Sequence, residues 1–515
     1  MTTNIWIRPG ADVPWGAASY GTGDGSSYTN AFAGLQDPGI DWGILDLQVW
    51  ICGVHAPLED AFTNTARFRV NAAMGGTARQ PTIIRMDDPN EAGRIWGGQF
   101  YPLASWTVYD APSNTYQITL PRADEPTLYQ ITNRWIYDLG ADTLGTDRLV
   151  KRASIADVQA NPGSYYATGT VGGSTVYVRL SDDADPSADH RVLFPSSGYR
   201  FNQSSIPNTI FHKSSVFPTD VIQLDSDNVQ LRRTTVWFGR RNDSETGGIF
   251  IGNARAKIDG FVAYRCDIGH CFEGAIYSTV DPSNVLNPNR WAVTHNYIHD
   301  VGDPAWHDAA NTDNHGVGVQ NGEGWHVYGN VVENTGPAII GYFTQADQDF
   351  QIMRNHSIRR NVVRSPRNQS SNLGQPCYEW DMQDGEGDAS GNVIAYNVAR
   401  DLAAGGSDPT SAPGCGFKFA DTNPDNVPTF THNVAENVPD SIYSNVAGQY
   451  MTVTNFTSLA PTAKHVRMRS ATANATFNNN DYSGGPGGDE FKNGVTDYTW
   501  AEWQAAGYDP ESTHS

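Results

Sequence analysis

From residue 248 to 438 the chain alternates short apolar runs with polar turns, and no helical periodicity persists over ten or more residues. One set of segments reads YRCDIGH (264–270), HNYIHDVG (295–302), GNVVENTG (329–336), RNVVRSP (360–366), YNVARDL (396–402) and HNVAENV (432–438). Each has a polar residue, usually Asn, then a short apolar strand, then a polar turn. The aligned positions are Cys266, Asn296, Asn330, Asn361, Asn397 and Asn433, spaced by 30, 34, 31, 36 and 36 residues. A second set precedes them: GIFIG (248–252), GAIYS (274–278), GVGVQ (316–320), AIIGY (338–342), CYEWD (377–381) and GFKFA (416–420). Each repeat therefore carries at least two short strands bounded by turn residues.

One such unit cannot bury its apolar face alone. Stacking repeats pairs each strand in parallel with its copy one coil away, about 4.8 Å distant. Asn at one turn position in successive coils then forms a ladder that satisfies turn amides. Leucine-rich and WD40 arrays are excluded by missing signatures and variable spacing.

The start of the chain, IDWGILDLQVWICGVH (40–55) and QPTIIRMDDPNEAGRIWGG (80–98), reads as first coils. Alternating strands with tight turns interrupt the repeat, and SIADVQANPG carries one short helix. The expected division is 1–100 for an N-terminal cap and first coils, 101–205 for an inserted antiparallel β module, 206–482 for the main β-helix, and 483–515 for a tail. In that tail TDYTWAEWQAAGYDPES predicts a short amphipathic helix capping the open end of the solenoid.

This layout resembles the right-handed parallel β-helix superfamily of polysaccharide lyases and glycoside hydrolases. The Asn-rich coils, the early PTIIRMDDP with its excursion ending PGSYY…VYVRLSD, and the terminal WAEWQAAGYD carry the resemblance over most of the chain. It implies an all-β solenoid that holds a glycan along one face. The superfamily also includes epimerases and non-catalytic phage spikes. No lyase or epimerase signature such as D-P-H-E occurs, so no catalytic residue transfers by match.

The formal net charge of −22 argues against nucleic acid, which needs Lys and Arg to neutralise phosphates. A basic stretch, Arg354, Arg359, Arg360, Arg364 and Arg367, reads as an exposed turn edge or a site for a glycan anion. No apolar run reaches the roughly 18 residues of a membrane span. MTTNIWIRPG has no signal-peptide pattern, so the expectation is an extracellular protein with its leader removed, or a virion component. Five cysteines without metal-ligand spacing read as buried thiols, with a Cys377–Cys415 bridge as the alternative.

In the second strand set, Ile249, Ile251, Val317, Val319, Tyr378, Trp380, Phe417 and Phe419 are expected to point inward. The opposite phase puts Phe250, Tyr277, Gln320, Ile340, Tyr342, Glu379, Asp381 and Lys418 on the outer face, where a one-residue slip would exchange the two sets. Glu379 and Asp381, at i and i+2, have Cβ atoms roughly 7 Å apart. An inverting glycosidase uses a carboxyl pair about 6.5–9.5 Å apart to admit a water. A second cluster, WHDAANTDNHGVGVQNGEGW (306–325), places His307, Asp308, Asp313 and His315 in a loop entering a coil strand. His315, as a base with Asp313 nearby, suits proton abstraction from a uronate, with Tyr277, Tyr342, Lys418 and Arg354 as partners. Gln320 and His307 complete the expected substrate contacts. In DMQDGEGD (381–388), Asp384, Glu386 and Asp388 offer the hard oxygens that Ca²⁺ takes, without the full EF-hand pattern. A solvated acidic turn is the alternative, and no cofactor is required.

The leading expectation is a polysaccharide-degrading enzyme, with hydrolysis by Glu379 and Asp381 ahead of β-elimination by His315. The alternative is a non-catalytic glycan-binding spike or adhesin. The expected partner is a polysaccharide or oligosaccharide, and the chain acts as a monomer or a homotrimer.

Overall fold

A computed structural model describes residues 2–9, 21–35, 37–55, 76–96, 98–100, 106–119, 136–138, 149–168, 175–186, 192–195, 200–202, 208–217, 221–224, 226–237, 248–251, 259–271, 274–278, 290–301, 315–320, 322–335, 339–342, 353–364, 376–382, 388–402, 414–421, 423–444, 449–470 and 474–515. The fold is all-β: a right-handed parallel β-helix with an inserted antiparallel module and a short C-terminal helix. It comprises two compact units, Met1–Ile222 with Thr234–Ser244, and Gln223–Arg233 with Glu245–Ser515.

In the first unit, strands Thr3–Arg8, Leu47–Ile51, Thr82–Arg85 and Thr209–His212 pair in parallel in that order. Leu47, Val49 and Ile51 are buried while Gln48 and Trp50 between them are partly open, the alternation of a half-buried strand. Strands Trp106–Asp110, Thr115–Thr119, Thr175–Arg179 and Ser164–Thr168 form the antiparallel module. It closes on its own core, including Ile118, Tyr165, Val176 and Val178. Helix Ile155–Ala160 lies in this module, with Ser154 capping it by accepting the Asp157 amide.

The second unit stacks three parallel rows of strands, and each coil gives one strand to each row. The first runs from Gln230–Arg232 to Ala475–Asn478, the second from Asp267–Gly269 to Asp481–Ser483, and the third from Ile249–Ile251 to Phe491–Asn493. Between the first two rows the chain turns at a residue with positive φ: Arg265, His295, Gly329, Arg360, Tyr396 and His432. The next position is the expected Asn ladder. The Asn296 Oδ1 accepts from the Cys266 amide at 2.8 Å. Asn330, Asn361, Asn397 and Asn433 then repeat one bond pattern. Each Oδ1 accepts both the backbone N–H and the Nδ2–H of the Asn one coil earlier, at 2.9–3.1 Å. Each Nδ2 also donates to a backbone carbonyl one coil back, as Asn361 does to Val327 at 2.9 Å. Every ladder Asn is buried, so these bonds replace water the amides cannot reach.

The helix Trp500–Ala505 carries a capping box between Thr499 and Glu502. It buries Trp503 against Phe491, with ring centroids 5.2 Å apart. All five cysteines are buried thiols, and Cys377 and Cys415 are not bridged. Among the described residues no helix is long and apolar enough to cross a membrane.

Candidate functional site

The third row of the second unit is in register coil by coil. Tyr277, Gly318, Ile340, Glu379, Lys418, Tyr443, Arg467 and Lys492 are successive partners in one column. The flanking column, Ile276, Val317, Ile339, Tyr378, Phe417, Ile442, Val466 and Phe491, is apolar and buried, so it faces the core. The Tyr378 ring stacks on Phe417 at 4.8 Å, one coil on. Alternation then directs Glu379, Lys418 and Arg467 away from that core, in the phase the apolar pattern predicts.

Glu379 is only 8% exposed although it lies in the outward column. The Lys418 ammonium, one coil on, donates to its Oε1. Burial alone would lower the Lys418 pKa, but the charges of Glu379 and Asp381 and the bond to Glu379 prevail and raise it. Lys418 is thus held as a cation. Asp381, two residues on along the same strand, is partly buried and pairs in register with Tyr342 and Ala420.

The next two coils extend this surface. Burial pushes the Tyr443 phenol up and keeps it neutral. Arg467 Nε lies 2.7 Å from Asp440 Oδ2, and its Nη2 donates to Oδ1 at 3.2 Å. Burial raises the Asp440 carboxyl to about 6, outweighing Arg467 and Lys464, which both pull it down. Lys464 and Lys492 both reach Asp497, at 2.9 and 3.9 Å. Lys464 and Lys492 thus share one carboxylate, and exposed Arg469 bonds the Tyr443 phenol. The column holds buried ion pairs beside a raised carboxyl, a combination that occurs at sites of acid–base chemistry.

The other expected residues fall as follows. His315 opens strand His315–Gln320, is buried, and pairs in register with Gly274, three positions before the Glu379 column. The backbones of Tyr277, Gln320 and Tyr342 lie in the third row, with Gln320 opposite Tyr342. Arg354 is on another strand, Met353–Arg354. It pairs with Glu323 at 3.3 Å and Asp388 at 3.2 Å, so its charge is spent between coils. Asp388 also accepts from the Ser390 hydroxyl at 2.6 Å. His307, Asp313, Asp384 and Glu386 lie outside the described residues. Sequence reasoning did not single out Asp440, Tyr443 and Arg467. Their signal was the apolar alternation continuing through DSIYS and KHVRM after the Asn pattern thins.

No family model matches the sequence, and no curated protein does. Solved structures match in fold. A glycoside hydrolase superposes with a TM-score of 0.52 at 11% identity, covering 94% of this chain and 97% of that one. That likeness is one of fold, a parallel β-helix. A GH136 lacto-N-biosidase from Eubacterium ramulus gives 0.41 at 10% identity, covering 92% of this chain and 67% of that one. The catalytic unit of a GH87 alpha-1,3-glucanase from Streptomyces thermodiastaticus gives 0.32 at 12%, covering 75% and 91%. At these identities the shared property is the fold.

Proposed function

We propose that the protein is a polysaccharide-degrading glycoside hydrolase whose glycan lies along the third-row face of the second unit. The observation that carries this reading is Glu379, an outward carboxylate kept nearly dry and charge-paired with Lys418. A fold shared with a glycoside hydrolase supports it. Glu379 and Asp381 form the carboxyl pair, with Cβ atoms roughly 7 Å apart as for an inverting enzyme. The Lys418 ammonium fixes the orientation of the Glu379 carboxyl, and Glu379 acts as base towards water. Asp381 then serves as acid towards the leaving oxygen. Arg467 flanks the glycan on a following coil, held by buried Asp440. Lys418 and Arg467 each face a carboxylate, while Lys464 and Lys492 share Asp497.

Incubation with a panel of neutral and acidic polysaccharides tests this. Release of reducing ends without the ultraviolet absorbance of an unsaturated uronate is the expected result. Unsaturated products would mean a lyase, and binding without cleavage would mean an adhesin. Glu379→Gln is expected to lower turnover by about 100-fold or more; unchanged turnover would remove Glu379 from the chemistry.

A further inference from the structure

Near the C-terminal helix, His465, Glu490 and His514 converge from three separate segments. His465 is on strand Lys464–Met468, Glu490 immediately precedes strand Phe491–Asn493, and His514 is on strand Thr513–His514. One donor atom from each lies within 4.8 Å of the others. His514 Nε2 sits 2.6 Å from Glu490 Oε2, and His465 Nε2 is 3.9 Å from the same oxygen. We infer that these three side chains form a binding site for a divalent transition metal of the Zn²⁺ class.

The decisive atom is His465 Nε2. His465 is fully buried, and among the described residues this nitrogen has no hydrogen-bond partner. An orphaned buried polar atom carries a desolvation cost that calls for an explanation. The other ring nitrogen, Nδ1, is fixed at 2.6 Å from the Ser458 hydroxyl. That bond sets the ring orientation and directs Nε2 at Glu490, as second-shell partners orient metal-bound imidazoles. Glu490 is oriented in turn, its Oε1 accepting from the Gly487 amide at 2.8 Å. The His514 ring is stacked on Trp500, with interplanar angle 18°. A glycine lies beside the donors: a Cβ at Gly485 would collide with the Glu490 carboxylate and stand 2.8 Å from His465 Nε2.

Two imidazoles and one carboxylate match the N/O preference of zinc, which binds these donors at about 2.0–2.2 Å and leaves a fourth position for water. Calcium, which takes oxygen ligands, fits poorly. The ion would replace the proton shared by His514 and Glu490 and tie strand Thr513–His514 to the coils beneath it. A second cluster, His270, His299 and Asp300, lacks this property. Both His299 nitrogens are engaged, Nε2 by Asp267 at 2.9 Å and Nδ1 by Asp300 at 2.8 Å.

The test uses untagged full-length protein, stripped with chelator, dialysed and titrated with Co²⁺, followed by displacement with Zn²⁺. Saturable visible absorption at one equivalent, lost on adding Zn²⁺, is expected, together with a higher unfolding midpoint in Zn²⁺. His514→Gln, at a partly exposed position, and Glu490→Gln should each weaken Co²⁺ binding by at least about tenfold. His299→Gln should leave it unchanged. Absence of stoichiometric binding by the parent protein, or equal binding by His514→Gln and Glu490→Gln variants whose circular dichroism is native, overturns the assignment.

Discussion

Lys418 donates its ammonium to Glu379 across one coil, although 39 residues separate them in sequence. Parallel stacking makes them neighbours in a column, and burial on both sides makes the pair costly to break. Lys418→Met is expected to destabilise the protein by on the order of 3 kcal/mol, because it strands a buried carboxylate. Combining it with Glu379→Gln should recover much of that loss. Denaturant unfolding of the two single variants and the double variant measures the coupling. Strict additivity would show that the two side chains do not interact.

The Asn ladder makes a separate demand. Asn361 accepts from Asn330 and donates to both Asn397 and the Val327 carbonyl. Asn361→Ala leaves several buried groups without partners, and a loss of about 2–4 kcal/mol is expected. Exposed Asn437, which bonds Asp401 at the edge, sits at a positive φ of 50° that Ala disfavours and should lose only about 1 kcal/mol on the same change. Chemical denaturation of the two variants side by side checks the contrast.

His299 gives the stability a pH dependence. Burial would lower its pKa, but the hydrogen bonds and charges of Asp267 and Asp300 overrule burial and raise it to about 9 from 6.5. The folded protein therefore holds this proton more tightly than the unfolded chain. Its contribution, about 3 kcal/mol, is complete below about pH 6.5 and fades as the pH climbs through 9. Unfolding midpoints measured from pH 6 to 10 should fall in this window for the parent protein and fall less for His299→Gln. Parallel curves would exclude the ion triad as the cause.

Asp440 adds a loss of stability with rising pH in a lower window. Its carboxyl is raised to about 6 by burial, so ionising it above that pH places a charge in a dry site. Asp440→Asn should preserve the shape and reduce the loss of stability between about pH 4 and pH 7. A melting series across that range for both proteins tests this, and an unchanged slope would show that Asp440 ionises freely.

Much of the fold was legible because it rests on repeated side-chain roles. Asn296 to Asn433 recur at one turn since only a short side-chain amide can both accept from and donate to successive coils. The phase of Tyr378, Trp380, Phe417 and Phe419 was legible because large apolar side chains alternate with Glu379 and Lys418. The site's extension was less so. After Asn433 the ladder position falls to Phe456, whose amide bonds the Asn480 side chain 24 residues on. The Asn signal and the longer spacing thus lapse where Asp440, Tyr443 and Arg467 enter. The pairing of Arg354 with Glu323 and Asp388 was hidden as well, since cross-coil partners depend on loop lengths that no local pattern specifies.

The structure of Glu379→Gln soaked or co-crystallised with an oligosaccharide that the parent protein cleaves is the most direct measurement. The account predicts sugar density along the outer column, with a glycosidic oxygen between residues 379 and 381 and a flanking ring over Arg467. Density confined to the turn carrying Tyr328 and Tyr396, or to the antiparallel module, with residues 379 and 381 uncontacted, would contradict it.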